Sequence, residues 1–217
     1  MHYSGATQLL ADAQEPRRVK FERMLRCVAV ALPGQAGTFL WALKNAAPAS
    51  DRDRAAGAVL VKLTTMSSTD IDFKSALHTL RELGSRSVLR GLRERLRGAT
   101  TANEATALAR ELAFWKDGDA IEDLRRAVDD WQGAGHDFEL LTYVYQLEGV
   151  AAGPFLAECF HRATAQEQRS ILRSLLEQKT VIAAKEFMSE VQILQGLPDD
   201  DETGISARDY LRLGASS

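Results

Sequence analysis

A chain of 217 residues with 45% hydrophobic and 26% charged residues can bury a sizeable core, as one elongated domain or two small ones. A net charge of −3 and a pI near 5.9 do not favour nucleic acid as a partner, and no apolar run approaches the roughly 18–20 residues of a membrane-spanning helix. Residues 1–18 hold no apolar core of signal-peptide type, so a reducing cytoplasm is expected, with Cys27 and Cys159 as buried free thiols.

Residues 1–16 are small, polar and weakly patterned, and read as a flexible arm with a helical turn at Gln8–Asp12. An address for a specialised bacterial secretion system, written in such an arm, would escape the signal-peptide argument. The first firm helix spans Arg17 to Leu32, with Phe21, Leu25, Val28 and Leu32 at helical spacing, and Pro33-Gly34 ends it. A second runs from Ala36 to Asn45. Ser50 is placed as the N-cap of a helix from Asp51 to Met66, and Thr69 with Asp72 repeats the device before a helix that stops at Gly84. The next helix, from Ser87 to Arg97, stops at Gly98.

Thr101 and Glu104 have the spacing of a capping box. The helix they open ends at Gly118, and Asp119 with Glu122 starts another that closes at Gly133 and Gly135. A helix from Asp137 to Glu148 follows, then one led by Pro154 at a position where its missing N–H costs nothing. Thr164 and Glu167 form a second capping box, and a long helix is expected over Thr180–Gln195. The acidic stretch 198–202 reads as a linker before a short helix at 206–212.

The pattern predicts an all-α protein of about eleven helices in stacked antiparallel hairpins, as an irregular helical bundle pair or a short α-solenoid. No strand alternation, hairpin turn or repeat consensus is legible. The expected division is an arm at 1–16, an N-terminal bundle at 17–98, a C-terminal bundle at 99–197, and an acidic linker and tail at 198–217.

No catalytic constellation accompanies this framework. The four histidines, His2, His78, His136 and His161, lack metal-ligand spacing, and no phosphate or dinucleotide fingerprint occurs, so neither a metal nor a cofactor is expected. Cys159 and His161 are two residues apart on a helix and diverge, and His136 with Glu139 fits a helix start. Trp41, Trp115 and Trp131 lie on or beside apolar stripes, so core packing is the default, with Trp115 or Trp131 the candidate for partial exposure.

The most unusual feature is a row of arginines. Arg86, Arg90, Arg93 and Arg97 recur at i, i+4, i+7 and i+11, flanked by Arg81 and Arg95, while Val88, Leu89, Leu92 and Leu96 supply the buried side. A solvated face paired with neighbouring acids is one reading. The other is a docking surface for an acidic protein partner, since guanidinium groups bind carboxylates bidentately.

The segment Ile71–Leu83, the stretch Ile121–Val128 and the apolar positions from Ile171 to Glu190 resemble successive helices of the gatekeeper family of bacterial type III secretion systems. That resemblance covers about 20–195 and implies a non-enzymatic regulator that contacts chaperones and the export apparatus; no family residue corresponds to the arginine row. The expected function is therefore a non-catalytic protein–protein interaction module, a secretion regulator or effector. A helical adaptor, scaffold or immunity protein with a concave groove is the alternative, and an enzyme with a site assembled from separated residues is a third.

Overall fold

The computed structural model describes residues 16–32, 34–131, 137–198 and 200–215. Within them the protein is all α, with twelve α-helices, four 3-10 turns and no β-strand among the described residues. The helices are α1 (Arg17–Val30), α2 (Ala36–Ala46), α3 (Arg52–Leu63), α4 (Ile71–Leu83), α5 (Leu89–Arg97), α6 (Ala102–Phe114), α7 (Ile121–Trp131), α8 (Asp137–Glu148), α9 (Gly153–Arg162), α10 (Ala165–Glu177), α11 (Lys185–Leu194) and α12 (Glu202–Ala215). Among the described residues, no helix is long and apolar enough to cross a membrane. The chain divides into two compact units, 1–107 and 108–217.

In the first unit α1 packs on α2, α2 on α4, and α3 on α4. Phe21, Met24, Leu40, Leu43, Leu63 and Phe73 are among the side chains fully shut off from solvent there. Trp41 is not one of them. It lies one residue, or about 100°, from Leu40, which turns it off the Ala36–Leu40–Leu43 stripe and leaves it 53% exposed.

Several caps differ from the local pattern. Asp70, not Thr69, is the N-cap of α4, and Asp72 looks elsewhere. Its buried carboxylate accepts from the N–H groups of Gly34 (2.7 Å), Ala36 (3.1 Å) and Gly37 (2.9 Å). An aspartate in the first turn of α4 thus satisfies the orphan donors at the start of α2 and places a negative charge at the positive end of that helix. A 3-10 turn at Ala49–Asp51 precedes α3, so Ser50 lies within a turn and provides no side-chain cap. Gly84 ends α4 in the left-handed conformation, as its position predicts.

In the second unit α7 packs on α8, while α9 pairs with α11 and α10 with α12. Thr164 and Glu167 form the complete capping box, with the threonine N–H donating to the glutamate at 2.7 Å. Two lysines occupy positions usual for glycine: Lys116 and Lys179 both have φ of 51°. Each closes a Schellman motif, in which Asp117 N–H donates to the Leu112 carbonyl and Thr180 N–H to the Leu175 carbonyl.

The helix expected over Thr180–Gln195 begins only at Lys185, and residues 180–184 carry no helix. Two tyrosine hydroxyls satisfy that segment's backbone: Tyr210 accepts from Ile182 N–H at 2.7 Å and Tyr145 from Ala183 N–H at 3.1 Å. Tyr210 comes from α12, a helix of 14 residues where the sequence suggested only a short one at 206–212. Asp201, read as part of a linker, accepts from the N–H groups of Thr203 and Gly204 and starts that helix. Phe187 stacks edge-on between Phe160 (5.1 Å) and Tyr210 (6.2 Å), closing the core. The arm's helical turn at Gln8–Asp12, Pro33, the glycines Gly133 and Gly135, and His136 lie outside the described residues.

Asp72→Ala strands three donors and is expected to cost about 2–3 kcal/mol in denaturant unfolding; a loss below about 0.5 kcal/mol contradicts the cross-helix cap. Burial pushes the Tyr210 hydroxyl up to about 12, against the smaller opposite pull of the Ile182 N–H. The folded value lies above the unfolded value of about 10. Its contribution is therefore complete below pH ~10 and is lost as the pH rises towards 12. Stability should fall across that window less steeply in Tyr210→Phe than in the wild type, and equal slopes contradict the assignment.

Candidate functional site

The arginine row is positioned by a short, tightly fastened helix. Ser85 Oγ donates to Asp53 at 2.5 Å, tying the loop after α4 to the start of α3, and accepts from Ser87 N–H. A 3-10 turn at Arg86–Val88 then leads into α5. Val88, Leu89, Leu92 and Leu96 are buried. Arg86 therefore belongs to the turn, while Arg90, Arg93 and Arg97 belong to the helix and fall within about 60° of one another. Arg86, Arg90 and Arg97 are exposed and Arg93 is half-buried. Arg90, whose side chain is 84% exposed, pairs with Glu94 at 2.9 Å. α5 holds four arginines and one glutamate, a net +3 on nine residues of an acidic chain.

Arg95 does not belong with the others. It leaves the opposite flank of α5, its side chain is 23% exposed, and its guanidinium donates to the carbonyls of Thr64 and Met66, both at 3.2 Å. The same group lies 2.5 Å from the carboxylate of Glu104, whose side chain is only 1% exposed. Glu104 also accepts from the N–H and hydroxyl of Thr100, and its own N–H donates to Thr101 at 3.2 Å. The capping box foreseen at Thr101–Glu104 is thus half made: the hydroxyl caps Glu104, while the carboxylate goes to Thr100 and Arg95.

Beside Arg95, the Leu60 side chain of α3 reaches α5 at Gly91. A Cβ on Gly91 would meet Leu60 Cδ2 at 2.2 Å, so glycine permits the approach. The approach leaves a cleft of about 380 Å³ lined by Leu60, Val61, Thr64, Gly91, Glu94 and Arg95, with Gly98 at its end. Val61 lies 68% exposed there. The cleft's signal in the sequence is a lone glycine inside a helical pattern, unlike the glycines at helix ends.

Among the described residues, the remaining polar candidates do not converge. Cys159 is buried, and burial pushes its thiol up, with Arg162 pulling less strongly the other way. His161 is exposed and faces Glu190 at 3.2 Å. Cys159 and His161 thus point apart, and both cysteines are free thiols, with Cys27 only partly buried. Among the described residues, no group of three or more His, Cys, Asp or Glu side chains could hold a metal ion. Trp115 and Trp131 are partly buried, and Phe114 packs edge-on against Trp115 at 5.7 Å.

No family model, no curated protein and no solved structure matches this chain.

The two kinds of arginine should respond differently to mutation. Arg95→Met leaves the Glu104 carboxylate buried without its cation and is expected to cost about 3 kcal/mol of unfolding free energy. Arg90→Ala, at a solvated pair, should change stability by less than about 0.5 kcal/mol. Equal effects contradict the division of labour.

Proposed function

We propose that this protein is a non-catalytic interaction module that docks an acidic partner protein on Arg86, Arg90, Arg93 and Arg97. The observation that carries the reading is the outward row of guanidinium groups on a helix whose other sides are fastened into a core. Guanidinium groups held on a rigid support lose little freedom on binding carboxylates. Their field speeds encounter with a negatively charged surface and rejects a positive one. The resemblance to type III secretion gatekeepers gives the narrower form of this proposal, a cytoplasmic or exported regulator of secretion. A footprint spread over the exposed ends of several successive helices would instead favour an adaptor or immunity protein with a concave groove.

Affinity capture from the source cells, followed by mass spectrometry and binding measurements on the recovered partner, tests it. The partner should carry an acidic surface, and binding should weaken as salt rises. Reversing Arg86 and Arg90 to Glu should lower affinity at least about ten-fold and flatten the salt dependence. Unchanged affinity of the double variant at low salt rejects this surface.

A further inference from the structure

The cleft between α3 and α5 opens on the flank of α5 beyond Glu94, one step around the helix from Arg90. Its apolar lining comes from Leu60 and Val61, with Thr64 and Gly91 beside them. Its charged rim is already engaged, since Glu94 pairs with Arg90 and Arg95 with Glu104. Arg95 is committed to a buried partner, whereas the Arg90–Glu94 pair is solvated and exchangeable, and an apolar side chain entering the cleft would displace water from Leu60 and Val61. The volume of about 380 Å³ admits a single large side chain with room to spare. With Arg95 committed to Glu104, the remaining Arg90, Arg93, Arg97 and Glu94 give α5 a net charge of +2 beside an apolar slot.

We infer that the cleft is an anchor seat, and that the partner's docking segment is acidic and presents one large apolar side chain, Phe or Leu, to it. The inference rests on the arginine-docking reading and gives it a specificity element. A carboxylate of the segment meets Arg90, and the anchor packs on Leu60 and Val61. Glu94, which holds Arg90 in the unbound protein, is exchanged for a carboxylate of the partner.

Two fluorescein-labelled nine-residue peptides of Asp and Glu, one with a central Phe and the other with Ala there, test this by fluorescence anisotropy at low salt. The Phe peptide should bind about ten-fold more tightly, the effect of burying most of one such side chain. Val61→Gln changes an exposed position without altering charge, and circular dichroism checks that the helices persist. This variant should erase the preference for Phe while leaving the Ala peptide's affinity in place. Reversing Arg86 and Arg90 to Glu should weaken both peptides together. Equal affinity of the two peptides for the wild type, with arginine reversal still weakening both, overturns the seat and leaves the charge reading standing. A Phe preference that survives Val61→Gln also overturns the seat. Failure of both peptides to bind overturns the seat and the charge reading alike.

Discussion

The lashing of α5 by Arg95 is the constraint on which the candidate surface depends. A helix of nine residues, about 13 Å long, is not stable alone in water. It is held here by three leucines on one side and by a guanidinium that bridges two carbonyls of the α3–α4 turn and a carboxylate of α6. Glu104 is nearly inaccessible to solvent, so the pair carries a desolvation cost that only close geometry offsets. With one flank committed to the body of the unit, Arg90 and Arg97 can only face outward. The exposed charges are therefore mounted on a fixed support, unlike the same residues on a loop.

Glycine has a matching role on that flank. Gly91 brings the backbone of α5 against Leu60, and the space beside the contact becomes the cleft. A glycine within a helix lowers helix propensity by about 1 kcal/mol relative to alanine. Tertiary packing offsets that loss and leaves an apolar recess beside a cationic face. In the proposed docking, charge would supply range and salt sensitivity and the recess would supply discrimination between acidic segments, a division common at protein interfaces.

Helix identity was legible because it is written locally. Apolar positions at helical spacing, Gly84 after α4 and the Thr164–Glu167 box each act within a turn or two of their own residue. Most of what escaped depends on contacts distant in sequence. Asp72 has the spacing of a local cap, yet it serves α2, whose N–H groups lie some 35 residues earlier. Residues 180–184 open with three β-branched side chains that favour helix weakly, and hydroxyls from Tyr210 and Tyr145 hold the Ile182 and Ala183 N–H groups outside any helix. The acidic run near residue 200 looked like a solvated linker although the Asp201 cap on Thr203 and Gly204 is local; what distance hid there is the pairing of Glu202 with Arg169. Within the arginine row the same limit applies. Helical spacing holds for Arg90, Arg93 and Arg97 on α5, whereas Arg86 lies in the 3-10 turn before it, and spacing could not show that Arg95 is a structural residue with a buried partner.

The central claim, that α5 is the docking element, is tested most directly by hydrogen–deuterium exchange on the protein alone and in complex with its captured partner. The account predicts new protection concentrated in residues 86–98 and at the end of α3, in residues 60–64, with the rest of the chain little changed. Protection confined to other helices, with α5 exchanging as in the unbound protein, would contradict it.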